Sequence, residues 1–433
     1  MPRFVTAESF GSVSRDILRL KRPALGGLRQ NISSKMASTR LRWTDNDDGG
    51  TPAELMTKLP FRRVGVVMPL SFQQGGAEAL FQHLLRHGSE RLHYFVALLQ
   101  DGPFVEASRA LGYDTAVFPT THLSDPENFA RTVGGLRCWM RDKQLDVVFS
   151  WMLKAHFYVA PAAAFTRIRT AWFQHGIPIN GTMDRLATLL PTSAIFCCSD
   201  HGRAAQDQLA PRRKSFTCYP GVSFPSGEPI QQDVARQELG LSPTHTIVGM
   251  VARWERWKGS HVFIEAAKVL LAEDRKLTCF LVGGAHPLDL VYAAEIHAQV
   301  ARADMRDRFL LVGQRPATEI PLWHSSADLI VHPVTSPEPF GMAVAEAMCM
   351  GKVVVASALG GPEEIIQDGV SGVLILPDNV ATLAQTIQEL VRDGDRRARL
   401  AAAARLRGRS FSIEAFARRF EDLIIQTSLA NLS

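Results

Sequence analysis

Two glutamates, Glu338 and Glu346, stand eight residues apart in "SPEPFGMAVAEAMCMG" (336–351). A carboxylate accepts hydrogen bonds on two oxygens, which suits the hydroxyls of a ribose or a hexose. The small and apolar residues that follow predict a helix over 340–350, entered after Pro339 and stopped by Gly351. Its start would offer free N–H groups and the positive end of the helix dipole, suited to a phosphate or sugar oxygens. Glu338 would then sit at the entrance and Glu346 about two turns in, roughly 12 Å along the axis at ~1.5 Å per residue. That is the length of a nucleotide sugar, with hexose at one end and ribose at the other. Read blandly, Glu346 is a surface helix residue. Its neighbours Ala345, Ala347 and Met348 argue instead for a largely buried helix, where an acid needs a partner.

A second cluster lies in "RWERWKGSHVFIEAAKVL", where Arg253 ends an apolar strand and Lys258 precedes a helix. Two cations and a glycine at a strand-to-helix turn make an anion site, although an ordinary basic loop looks the same in isolation. "LVGGAHP" and "LVGQ" each place glycine directly after a buried strand, with room for a flat ring against the backbone. Neither the dinucleotide-binding nor the P-loop glycine fingerprint is present.

The elements that must position these groups repeat as strand, glycine-rich turn and helix. "RVGVVMP", "HYFVALL", "DVVFSWM", "TAWFQHG" and "AIFCCSD" form one series of short apolar strands, and a helix is predicted over 77–87. A Pro/Gly/Ser stretch at 220–230 reads as a linker, and "TIVGMVAR", "KLTCFLVGG", "RFLLVGQ", "ADLIVHP" and "KVVVAS" form a second series. Continuous apolar strands alternating with helices imply parallel sheets covered on both faces. The expected fold is α/β: two doubly wound, Rossmann-like domains, 56–225 and 226–410, facing a central cleft at the carboxyl ends of their strands. A last helix over 411–433 is expected to cross back to the first domain, and 1–55 reads as a polar, disordered tail. Met56 looks like a natural beginning.

Composition narrows the class. The chain has 433 residues, 46% hydrophobic and 21% charged, with net charge +5. Residues 56–230 hold 18 Lys and Arg against 13 Asp and Glu, whereas 231–433 hold 21 against 24. A basic first half fits an anionic partner there; ordinary surface scatter fits equally. The six cysteines show neither a CxxC pair nor metal-ligand spacing, so buried thiols in a reducing compartment are expected. No apolar run has the ~20 residues of a membrane span. These features imply a cytoplasmic protein, with peripheral contact to the inner face of a membrane. Two Asp-x-Asp strings, 45–47 and 393–395, follow no strand into a site and read as solvent-facing, so no metal is expected.

"EPFGMAVAEAMCMGKVVVASALGGPEEIIQDGVSGVLILPDN" closely resembles the signature of retaining glycosyltransferases of the GT-B fold, family 4: a Glu, seven residues, a Glu, then a "GG…E" segment. The likeness runs on through "QQGGAE", "SDHGR", "YPGV", "RWERWKG", "LVGG" and "SSADLIVHP". It implies a nucleoside-diphosphate-sugar donor, UDP- or GDP-linked, held mainly by the second domain. The acceptor, a saccharide or lipid-linked saccharide for cell-surface polysaccharide or glycolipid, would meet the first. By this resemblance Glu346 would hold the donor ribose and Glu338 would lie near the transferred sugar. Arg253 and Lys258 would hold the diphosphate, and the backbone of Phe340, Gly341 and Met342 the sugar hydroxyls. Gly75 and Gly76 would let the first-domain loop approach the phosphates, Gly313 and Gln314 would border the base, and His175 would touch the sugar. No cofactor, metal or nucleic acid is implied. "YPGV" departs from the family's "PNGV", and "SDHGR" from its commoner "SE", both read as acceptor-side differences. A nucleotide-sugar epimerase and a non-catalytic nucleotide-sugar-binding protein of the same fold are the alternatives.

Overall fold

The computed structural model describes residues 63–72, 75–88, 91–223, 230–286, 289–302, 305 and 307–429. The expected tail over 1–55, Met56, and Gln73 and Gln74 of "QQGG" lie outside them.

Two parallel sheets carry the fold. The first holds β1 (Arg63–Met68), β2 (His93–Leu98), β3 (Thr115–Val117), β4 (Val147–Trp151), β5 (Arg169–Gln174), β6 (Ala194–Cys197) and β7 (Ser215–Thr217). Their order is β3-β2-β1-β4-β5-β6-β7. The second holds β8 (Thr246–Val251), β9 (Leu277–Val282), β10 (Phe309–Gly313), β11 (Leu329–His332), β12 (Val353–Ser357) and β13 (Val373–Ile375), in the order β10-β9-β8-β11-β12-β13. Both orders reverse direction after their first strand, between β1 and β4 and between β8 and β11, which opens a crevice at the carboxyl ends. The apolar runs become strands for a simple reason: β4, β6, β9, β11 and β12 are buried along their whole length, so both faces need apolar side chains.

The chain passes between the sheets twice, and the two passages touch. The Val222 N–H donates to the Phe411 carbonyl at 2.8 Å, and the Ile413 N–H to the Val222 carbonyl at 3.0 Å. Gly221 makes this possible, since a Cβ there would stand 2.6 Å from Phe416 Cβ and 2.9 Å from the Ser412 carbonyl oxygen. The "YPGV" departure therefore sits largely at the crossing of the chain, with only Pro220 reaching the cleft wall.

The last helix, Ile413–Leu429, packs on the first sheet. Phe420 meets Phe149 and Phe196 with ring centroids 4.7 and 6.0 Å apart, and Phe416 meets Phe173 at 6.3 Å. Arg91 of the first sheet's side pairs with Asp422 at 2.8 Å. Of the cysteines, only Cys138 is exposed.

Candidate active site

The carboxyl ends of β1, β4, β5, β6, β8 and β11 face one cleft of about 800 Å³. The first domain lines it with Gly75, Gly76, Glu78, His83, Arg86, Met152, His175 and Cys198. The second contributes Arg253, Lys258, Arg315, His324, His332, Glu338, Phe340, Gly341, Met342 and Glu346.

Glu338 is the floor of this cleft. It lies after β11 in an extended segment bound to the loop after β12: its N–H donates to Leu359 O at 3.2 Å, and its carbonyl accepts from the Gly361 N–H at 2.8 Å. The residue is buried, 5% exposed, and its Oε2 accepts from Lys258 Nζ at 2.6 Å and His332 Nε2 at 2.9 Å. Burial alone would raise its pKa; the Lys258 charge and the His332 hydrogen bond outweigh it and hold the carboxyl at about 2. Glu338 is thus an anion at any ordinary pH. Lys258 is placed by a one-turn helix, Arg256–Lys258, tied down where the Thr335 N–H donates to Trp257 O at 2.8 Å. Its ammonium also lies 4.0 Å from the centroid of the Trp257 ring.

The helix expected over 340–350 begins later. The helix runs Met342–Cys349, because Gly341 adopts φ +105°, outside the helical region. Glu346 lies one turn in, not two, and the span from Glu338 is not a helical rise. Glu346 is half-exposed, with Oε2 3.5 Å from His324 Nε2. Met342 packs against the first domain, where a Cβ on Gly76 would stand 2.8 Å from its Cγ. Gly76 therefore admits the facing helix and lines the cleft beside it. Phe340 is buried and meets Phe411 at 5.7 Å.

Lys258, expected to hold a diphosphate, pairs with Glu338 at 2.6 Å. The cation left more open is Arg253, which pairs with Glu255 at 3.2 Å while 44% of its side chain remains exposed. Gly283 and Gly284, read as room for a flat ring, fit loops together. The Ala252 carbonyl oxygen stands 1.8 Å from where a Cβ on Gly283 would be, and Gln314 Cβ 3.0 Å from one on Gly284. Gly313 ends β10 and Gln314 follows it, both just outside the cleft lining, which resumes at Arg315, Ala317 and Thr318.

His175 follows β5, its ring stacked on Phe173 with centroids 4.1 Å apart. Its Nε2 is buried without a hydrogen-bond partner among the described residues, and burial pushes its pKa down to about 3. The ring is neutral, able to hydrogen-bond a hydroxyl but not to supply positive charge. Beside it, the Cys198 thiol donates to His175 O at 3.4 Å and to Pro339 O of the other domain at 3.5 Å.

Glu78, His83, His324 and His332 line the cleft without having been singled out from the sequence, although Glu78 lies within "QQGGAE" and His332 within "SSADLIVHP". Glu78 carried a signal, an acid three residues after the N-cap glycine in "GGAE". It is 5% exposed, and burial raises its pKa against the pull of the Gly75 N–H and Arg253. His332 ends the apolar strand β11 at its carboxyl edge, where polar residues reach a crevice.

Across the domains, Glu364 accepts from the Asp200 and His201 N–H groups, each at 2.7 Å, at the start of helix Asp200–Asp207. The second Asp-x-Asp string caps a helix in solvent: Asp393 accepts from the Arg396 N–H at 2.8 Å. Among the described residues no helix is long and apolar enough to cross a membrane.

The chain is 32% identical over 178 residues to the lipopolysaccharide core biosynthesis mannosyltransferase LpsB of Rhizobium meliloti (strain 1021), covering 41% of this chain and 49% of that one. It is 33% identical over 206 residues to the D-inositol 3-phosphate glycosyltransferase of Frankia alni (strain DSM 45986 / CECT 9034 / ACN14a), covering 46% and 50%. The chain spans about half the length of these curated relatives. A crystal structure of Anabaena Alr3699/HepE in complex with UDP and glucose superposes with a TM-score of 0.72 at 25% identity, over 84% of this chain and 99% of that one. The two facing Rossmann-like domains are those of GT-B glycosyltransferases, and residues 231–407, which hold Arg253, Lys258, Glu338 and Glu346, match the family described as glycosyl transferases group 1.

Proposed function

We propose that the protein is a retaining, family 4 glycosyltransferase that moves a hexose from a nucleoside-diphosphate-sugar to a saccharide or lipid-linked saccharide acceptor. The observation that carries this reading is the Glu338–Lys258–His332 cluster on the cleft floor, with Arg253 and Glu346 on either side. Breaking a sugar–phosphate bond leaves a diphosphate and an oxocarbenium-like sugar. Arg253, Lys258 and the start of helix Met342–Cys349 would stabilise the departing anion, without a metal. Lys258 could meet that anion while Glu338, fixed as an anion, orients it and steadies the positive sugar. A phosphate oxygen would take the acceptor's proton on the leaving-group face, retaining configuration, and His175 would hydrogen-bond the sugar as a neutral ring.

The HepE complex with UDP-glucose, 25% identical, supports a uridine donor; the mannosyltransferase likeness keeps guanosine donors in view. Cell-surface polysaccharide or glycolipid synthesis on the inner membrane face fits the lipopolysaccharide relative. The test is incubation of purified protein with UDP- and GDP-sugars in EDTA, following nucleoside diphosphate release and the anomeric configuration of the product by NMR. Release with retention is expected. Donor binding without release would leave a binding protein, and a change of sugar configuration on an intact nucleotide would leave an epimerase.

A further inference from the structure

The nucleoside half of the cleft is walled by two helices from different domains. Helix Gly76–His87 presents Leu80, His83 and Arg86 to it, three residues apart, so one face of that helix borders the cleft. Helix Met342–Cys349 answers with Met342 and Glu346, four apart. The helix starts abut through Gly76 and Met342.

Three imidazole nitrogens here are buried without a hydrogen-bond partner among the described residues: Nδ1 of His83 and both ring nitrogens of His324. His324 is 1% exposed, and its Nε2 lies 3.5 Å from the Glu346 carboxylate. Burial lowers the pKa of His83, and the Glu346 charge works against that lowering. Unpartnered buried polar atoms are uncommon and unfavourable, so a cluster of them beside a carboxylate points to a ligand.

The chemistry of that ligand follows from what the three side chains offer. Glu346 as an anion only accepts hydrogen bonds, while a neutral imidazole donates with one nitrogen and accepts with the other. A hydroxyl does both at once. A vicinal diol could donate to Glu346 while accepting from the flanking rings, and a phosphate there would face the like charge of Glu346. We infer that the first domain supplies His83 to the donor site, where it and His324 flank Glu346 and complete a ribose-diol subsite built from both domains. The inference rests on the nucleoside-diphosphate-sugar reading above. It adds that the nucleoside itself contacts both domains, through His83 on one side and Glu346 with His324 on the other.

Calorimetric titration of full-length wild type, His83→Ala and His83→Asn with UDP and with 2′,3′-dideoxy-UDP tests it. GDP and its dideoxy analogue serve if guanosine is the base. Losing one hydrogen bond should weaken UDP binding by His83→Ala roughly two- to tenfold. The same variant should bind the dideoxy analogue as wild type does. His83→Asn, whose amide nitrogen can stand near the place of Nδ1, should recover part of the loss; it also guards against His83→Ala acting through misfolding. Equal weakening toward both ligands, or UDP binding unchanged in His83→Ala, overturns the subsite while leaving the donor reading intact. Wild type that binds no nucleoside diphosphate overturns both.

Discussion

Replacing Glu338 by glutamine should lower the stability of the second domain by about 3 kcal/mol at neutral pH. The magnitude comes from the site. Oε2 of Glu338 accepts from Lys258 Nζ at 2.6 Å and His332 Nε2 at 2.9 Å, and the side chain is only 7% exposed. Against the desolvation that raises it, the Lys258 charge and the His332 hydrogen bond bring the pKa to about 2, where an ordinary glutamate lies at 4.5. At ~1.4 kcal/mol per pKa unit the gap is worth about 3 kcal/mol. Because the folded pKa lies below the unfolded one, this stabilisation is complete above about pH 4.5 and fades as pH falls toward 2. Glutamine keeps an acceptor oxygen, so the loss is chiefly that of charge. For a domain of 150–250 residues this amounts to roughly 6–12 °C in the unfolding midpoint. Scanning calorimetry at pH 7 and pH 3.5 reads it directly: the variant should melt lower at pH 7, and the gap should narrow at pH 3.5. Coincident midpoints at pH 7, or a gap that widens on acidification, would refute the electrostatic account of the cleft floor.

Arg253→Ala and Lys258→Ala should depress turnover more than donor affinity, since the diphosphate gains charge only as its bond breaks; steady-state kinetics beside donor titration measures the split. Glu364→Ala removes the acceptor of two helix-start N–H groups across the domains, so the donor KM should rise and small-angle scattering should report a larger radius of gyration. Unchanged scattering and KM would relieve Glu364 of any clamping role. Arg212, Arg213 and Lys214 are exposed beside β7, and such residues near an anionic surface contribute ~1 kcal/mol each. Co-sedimentation with anionic vesicles should therefore weaken with added salt, and equal binding to neutral vesicles would rule out a charge-driven membrane contact.

The strands were legible because parallel strands buried on both faces must be apolar throughout, as "VVFSW" of β4 and "VVVAS" of β12 are. The donor helix was legible in body but not at its start, where the left-handed Gly341 holds the chain out of helix and moves Glu346 a turn closer to the entrance. The glycines after the strands differ: Gly283 of "LVGG" reads as open space, yet the Ala252 carbonyl stands where its Cβ would be, whereas nothing lies within 4 Å of such a position at Gly313 of "LVGQ". His332, His324 and His83 could not be assembled from spacing. They sit on a strand, a short helix and a helix of the other domain, and only the two sheet orders bring them to one cleft. Lys258 was found, but its binding to Glu338 depends on the bend after β11 that no local pattern announces.

The central claim is that the two glutamates divide the donor, Glu346 taking the ribose and Glu338 the sugar end. Titration of nucleoside diphosphate into Glu346→Ala and Glu338→Gln, beside turnover with the full donor, tests it most directly. Loss of a charge-assisted hydrogen bond should weaken nucleoside diphosphate binding to Glu346→Ala about ten- to a hundredfold. In Glu338→Gln that binding should stay intact or tighten, because Lys258 is released toward the phosphates, while turnover falls. Equal losses of nucleoside diphosphate affinity in the two variants would contradict the division.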